Sequence, residues 1–399
     1  MDALLPALAL VAALLLCVGL ARSGAGAVLF ARPALTLALG AGAGLVLQFT
    51  ALPAPPPEAL RAAARLGLAF LAFCAAQQCR PSRLGKVSPP ALRLALLSLP
   101  LVALGTAAAS FALVPDIGLG AAALVGIAFV LSGGVFDEAA AMQAPLAADV
   151  KRTVRLDAAA SLALGIPLAV LIEGVIVPPG PGDALWDYAA FGLFAGAAVG
   201  GTIGLLAARL LPPRDAAVPL APLLSLGAAF LVCRLLGFDA VMGGAACGLL
   251  YSEEAGLLGP VRSRLFGAGL RWVTPPALLT AGLAFGPILR GADFLMVLAI
   301  TAALLALQPL ARGAALGGTD LPEEARAFLA RFGAAPGVGA ALFLLTLLAS
   351  PALGAETEAL ALGALCLFGG GVLGRLASQP LITRQVRAAA RAKKRRYAT

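Results

Sequence analysis

Apolar runs of about 20 residues follow one another along almost the whole chain, and this pattern decides the fold class. A run of that length crosses the hydrocarbon of a bilayer as a helix, because a helix satisfies its own backbone hydrogen bonds where no water can. About 13 runs qualify: 3-21, 26-50, 60-78, 91-114, 119-145, 153-177, 184-211, 216-235, 238-252, 265-288, 292-310, 332-350 and 355-377. Only 12% of the 399 residues are charged and the mean hydropathy is +0.97. A soluble chain carries roughly 25% charged residues, so this much apolar surface has no core to hide in. The 47 Gly and 29 Pro suit close helix packing and interrupted helices in lipid. The expectation is an all-α polytopic membrane protein with about 13 transmembrane helices.

Loop charges set the orientation. One set of loops carries Arg22, Arg32, Arg80, Arg83, Lys86, Lys151, Arg152, Arg155, Arg209, Arg214, Arg262, Arg264, Arg312, Arg326 and Arg331. The basic tail from Arg384 to Tyr397 lies on the same side. The opposite loops carry only Arg61, Arg65, Arg234 and Arg290, with Pro-rich turns and acids such as Asp183, Glu356 and Glu358. This places the N-terminus outside and the C-terminus in the cytoplasm of the inner or plasma membrane. The tail reads as a positive-inside anchor near anionic headgroups; nothing aromatic accompanies its charge to suggest nucleic acid. The run from Leu4 to Leu20 has Asp2 where a signal peptide has a basic flank, and reads as a retained helix. The six Cys are scattered through apolar runs without metal-type spacing.

Within this apolar background one stretch stands out, Ser132-Gly133-Gly134-Val135-Phe136-Asp137-Glu138, followed by Asp157 and Ser161 in the next run. Carboxylates inside a span are expensive and mark functional sites by default. A break at Gly133-Gly134 frees backbone carbonyls and half-helix ends, which coordinate cations. Asp137 beside the break can offer an oxygen to Na⁺ or K⁺, or hold a proton, but not both. The chain has no His, so proton chemistry near neutral pH falls to carboxylates. The plainer alternatives are that Asp137 and Glu138 sit solvated at a helix end and that Asp157 is a first-turn acid favoured by the helix dipole. A second Gly/Pro-interrupted run, with Gly333, Pro336, Gly337 and Gly339, takes the opposite direction across the membrane. Paired interrupted spans of opposite direction point to an inverted-repeat transporter with its site at the midplane.

These motifs resemble the monovalent cation:proton antiporter superfamily, the sodium/hydrogen exchangers, over nearly the whole chain. The family's interrupted helix carries Thr-Asp; here it reads Phe136-Asp137-Glu138. The family's next helix carries Glu-Ser-x-x-Asn-Asp or Asp-Asp with a Pro ten residues after the Glu; here Asp157 stands at the Glu, Ser161 at the Asn, Leu162 at the Asp, and Pro167 follows. Leu68 to Phe73 with Arg80 and Leu84 looks like the family's third helix, and Gly237 to Leu250 like its Gly-Phe-x-Ala helix. Gln308-Pro309-Leu310, then Glu323 to Gly337, looks like the loop before its Gly-x-Arg-Gly helix, with Pro336 at the Arg. That Glu and Arg often pair in the family, so Asp at 157 and loss of Arg at 336 go together.

The resemblance implies a homodimer contacting lipid, with residues 1-24 forming an N-terminal helix on the dimer side. It implies half-repeats at 25-178 (interrupted helix 119-145) and 216-377 (interrupted helix 332-350), a linking helix at 179-215 and a cytoplasmic tail at 378-399. The expected function is secondary exchange of Na⁺ or K⁺ for H⁺ by alternating access. Asp137, Asp157, Glu138 and Ser161 would bind ion and proton, and the backbone near Gly133, Gly134, Phe136, Pro336 and Gly337 would form the breaks. No cofactor, resident metal or nucleic acid is expected. A same-fold transporter of an organic anion or other solute, and a non-transporting relative, stay open. An enzyme is not expected: there is no Ser/His/Asp set, HExxH, P-loop or dinucleotide fingerprint.

Overall fold

The computed structural model describes residues 36–37, 39–47, 56–79, 88–114, 117–131, 148–177, 192–210, 220–256, 273–286, 294–332 and 337–350. The expected spans 3-21 and 355-377, the helix at 1-24 and the tail at 378-399 lie outside them. So do Gly133, Gly134, Phe136, Asp137, Glu138 and Pro336. Every regular element among the described residues is a helix.

In chain order these are α1 (39–47), α2 (Pro57–Ala76), α3 (Pro89–Leu113), α4 (Leu119–Val130), α5 (Ala148–Ile176) and α6 (Ala195–Leu210). Then come α7 (Leu220–Leu235), α8 (Ala240–Glu254), α9 (Val273–Phe285), α10 (Phe294–Ala315), α11 (Glu323–Phe332) and α12 (Val338–Leu348). Among the described residues four helical stretches, Pro57–Ala76, Pro89–Leu113, Asp149–Ile176 and Gly192–Leu210, are long and apolar enough to cross a membrane. Leucines and Phe111 on the outer faces of α3 and α7 are exposed, Leu104 by 70%. In water these would be a liability; against lipid they are the expected surface. The chain is an all-α integral membrane protein.

Local chemistry sets the helix ends. Proline opens α2 and α3 at the position where a missing N–H costs nothing. Gly237, at φ 73°, ends α7: the Phe238 N–H reaches back to the Cys233 carbonyl at 2.8 Å and the Gly237 N–H to Arg234 at 3.3 Å. Asp239 caps α8 at once, accepting from the Val241 and Met242 N–H groups, both at 2.9 Å. Inside α3 the turn Leu94–Ser98 widens to a π-turn just before Pro100, which has no N–H to continue an ordinary turn.

Glycine lets three helices touch backbone to backbone. A Cβ at Gly200 of α6 would lie 2.0 Å from the Gly243 carbonyl oxygen of α8. One at Gly248 of α8 would lie 2.3 Å from the Phe73 carbonyl oxygen of α2. This small-residue contact welds α2, α6 and α8 into one body. On the other side α5 packs with α4, where Gly165 faces Leu131 and Val130.

Helices α4 and α12 are half-length, about 18 and 16 Å at 1.5 Å per residue. They are almost wholly buried, and their ends meet. The last residue of α4's turn, Leu131, presents its carbonyl 3.1 Å from where a Gly339 Cβ would be. Gly337 is extended (φ −110°, ψ −176°) and α12 starts at Val338.

Three expectations change. The segment Glu323–Phe332, read as loop, is an amphipathic helix whose Phe328 and Leu329 are buried against Leu94, Val150 and Val154. Arg312, counted among loop charges, lies inside α10, which runs on to Ala315 past Pro309. Arg61 and Arg65, also counted as loop charges, lie in the first turns of α2.

Candidate functional site

The long helix α5 carries two buried acids, Asp157 and Glu173, and each has its own cationic partner. Pro167 sits between them and leaves one i−4 carbonyl without a donor, a cause of helix bending at that point.

Asp157 is 6% exposed and Arg312 is 7% exposed. The Arg312 Nη2 donates to the Asp157 carboxylate, and its Nε donates to the Leu329 carbonyl of α11 at 3.2 Å. Ser161 lies one turn further along α5 on the same face, its hydroxyl donating to the Ala158 carbonyl at 3.0 Å. Beside them is a cavity of about 20 Å³, room for about one water. Its polar walls are Asp157 and Ser161 from α5, Gln308 and Arg312 from α10, and Ser98 from the π-turn of α3. Buried charge in an apolar bundle persists only when paired and hydrogen-bonded, and this pair is both.

The sequence reading places an Asp at 157 with no arginine partner, since Pro336 stands at the expected Arg. Arg312, from α10, supplies that partner. The only sequence signal was a basic residue four after Gln308, one helical turn along an apolar run, and Pro309 disguised it as a loop. Leu162, where the resemblance expects an acid, is fully buried, and its Cδ2 lies 2.9 Å from where a Gly339 Cβ would be. It therefore fills the junction of the two half-length helices with apolar contact. Asp157 and Ser161 both line this cavity; Asp137 and Glu138 lie outside the described residues.

The other acid was not singled out in the sequence. Glu173, 2% exposed, accepts from Arg65 Nη2 at 3.0 Å and stands 3.5 Å from Arg61 Nη2. Arg65 Nη1 also donates to the Asp239 carboxylate of α8 at 3.1 Å. Asp239 thus joins this network while capping its own helix. The signal available was an i, i+4 arginine pair in α2 and a lone acid in the apolar run after Pro167.

No family model matches the chain, and no curated protein matches it. Solved structures do. The structure of the sodium proton antiporter MjNhaP1 from Methanocaldococcus jannaschii at pH 8 is similar with a TM-score of 0.69 at 17% identity, covering 97% of this chain and 100% of that one. An electron-microscopy structure of the same antiporter is similar with a TM-score of 0.63 at 16% identity, covering 89% of this chain and 90% of that one. Over nearly its full length, then, this chain has the fold of a sodium proton antiporter.

Proposed function

We propose that this chain is a secondary transporter, not an enzyme, that exchanges Na⁺ or K⁺ for H⁺ by alternating access. The observation that carries the reading is the buried Asp157–Arg312 pair on a water-sized polar cavity, beside two half-length helices that meet end to end, in the fold of an antiporter. Half-helix ends and a buried carboxylate are the parts a dehydrated cation needs. Asp157 is already matched in charge by Arg312, so Asp137, on the interrupted helix, is the carboxylate that alternates between cation and proton. Asp157 and Arg312 hold α5 against α10 at the polar cavity, and Ser161 and Glu138 add oxygens. The half-repeats at 25-178 and 216-377, a homodimer, and a cytoplasmic C-terminus complete the reading.

A buried cation in the core would favour an organic anion as cargo. Arg312 is such a cation, but the Asp157 carboxylate it donates to balances its charge, which leaves no net positive site. The test is purified protein in proteoliposomes with an internal pH dye, to which Na⁺, K⁺ or Li⁺ is added in turn. Cation-driven dye response supports exchange. Silence to all three at every pH from acid to alkaline would overturn it.

A further inference from the structure

The network at the far end of α5 has no part in the ion chemistry above. Glu173 is 16 residues from Asp157, about 24 Å along the helix axis. The cluster joins α5 to a different set of helices. Arg61 and Arg65 belong to α2 and Asp239 to α8, and those two helices are welded to each other by the glycine contact at Gly248. Asp239 is further fixed by its N–H, which donates to the Gly192 carbonyl at 2.9 Å. Helix α5 packs against α2 and α8 as well as against α4, and with α3 and α10 it forms the cavity walls. At this end a charged link is added to that apolar packing. Such a link forms or breaks as a unit, whereas backbone-to-backbone packing does not part easily. The formal charges, two arginines and two carboxylates, cancel, so the cluster is no trap for a free ion. Arg65 bridges both acids, so removing the Glu173 carboxylate leaves two partly exposed guanidiniums and one acid in the cluster.

We propose that Arg61, Arg65, Glu173 and Asp239 form a charged latch that seals the α2/α8 end of the route to the Asp157 cavity. Its release lets α5 and its neighbours move against the α2/α6/α8 body and opens that end. This rests on the alternating-access reading. The loop charges put the latch on the outer face, so the present structure is the state closed to the outside.

The test uses the full chain in proteoliposomes, with its six cysteines replaced and one reporter added. Ala169→Cys lies one turn before Glu173 and is fully buried; Ser161→Cys lies on the cavity. Each is labelled with a membrane-impermeant maleimide from each face separately. Breaking the latch with Glu173→Gln raises Ala169→Cys labelling from the latch face by about tenfold, the response to losing one charge-assisted hydrogen bond. It also lowers Ser161→Cys labelling from the opposite face, because one population grows at the expense of the other. A rise at Ala169→Cys with no fall at Ser161→Cys would mean a frayed helix end and would overturn the latch. So would no change at either reporter. Arg61→Gln removes only the longest contact and repeats the same two-sided pattern more weakly if Glu173→Gln does not fold. Labelling needs no ion flux: a chain that moves no cation yet shows the reciprocal pattern keeps the latch and loses the antiport reading.

Discussion

Arg312 and Asp157 are 155 positions apart in the chain and form a buried ion pair between the last turn of α10 and the first half of α5. Because both are out of water, losing either one strands the other. Asp157→Asn or Arg312→Gln alone is expected to cost about 3–5 kcal/mol, since an uncompensated buried charge remains. The double variant should cost clearly less than the sum, because neither charge is left behind. Thermal unfolding of the four proteins in one detergent checks this. Additive losses would mean that the pair is not an energetic unit.

Some spans were legible to within a few residues because hydropathy marks them. Residues 60-78, 91-114 and 216-235 are helical as Pro57–Ala76, Pro89–Leu113 and Leu220–Leu235. Charge was harder to read. Loop counting assigns a basic residue to a loop by its position in sequence, and Arg312, Arg61 and Arg65 sit near span ends. Whether such a residue faces water or a carboxylate depends on a helix far away in the chain. Glu173 was hidden by its own surroundings, a single acid among residues as apolar as Leu171, Ile172 and Val175. The helix Glu323–Phe332 was missed because its mean hydropathy is low, although Phe328 and Leu329 already marked one apolar face. That Asp157 and Ser161 line one cavity was legible because residues at i, i+4 share a helix face whatever packs against them.

The weld between α6 and α8 predicts a sharp contrast between two glycines. Gly200→Ala puts a methyl 2.0 Å from a backbone oxygen that has no flexible atom to move, so the helices must separate. The loss is expected to be about 1–3 kcal/mol or more. Gly227→Ala, on α7, meets nothing within 4 Å and should be neutral or slightly stabilising through helix propensity. Melting curves of the two variants side by side decide it; equal effects would contradict the close approach.

At the junction of the half-length helices the obstacle is different in kind. A methyl at Gly339 meets the Leu162 Cδ2 at 2.9 Å and the Leu131 carbonyl oxygen at 3.1 Å, one movable and one fixed. Gly339→Ala should therefore destabilise by about 1–3 kcal/mol. Adding Leu162→Ala should recover part of that loss instead of adding its own cavity cost, because the shortened side chain makes room. A double variant worse than the sum of the singles would mean that Leu162 is not what the new methyl strikes.

The exchange reading makes its strongest demand at Asp137. If one carboxylate alternates between a cation and a proton, acid must weaken cation binding, because protons occupy the same oxygens. The apparent cation affinity, measured from the dye response in proteoliposomes, is expected to fall as pH falls and to level off at alkaline pH. Asp137→Asn is close to isosteric and can hold neither occupant as a carboxylate does. It should abolish cation-driven proton movement while the protein still elutes and melts as a folded species. Asp157→Asn should behave otherwise: its first effect is the lost pairing with Arg312, so stability falls together with transport. The two variants thus separate an ion ligand from a charge partner by a pair of measurements, flux and melting temperature. Undiminished exchange in Asp137→Asn would move the site elsewhere, and a pH-independent cation affinity would rule out competition at a single carboxylate.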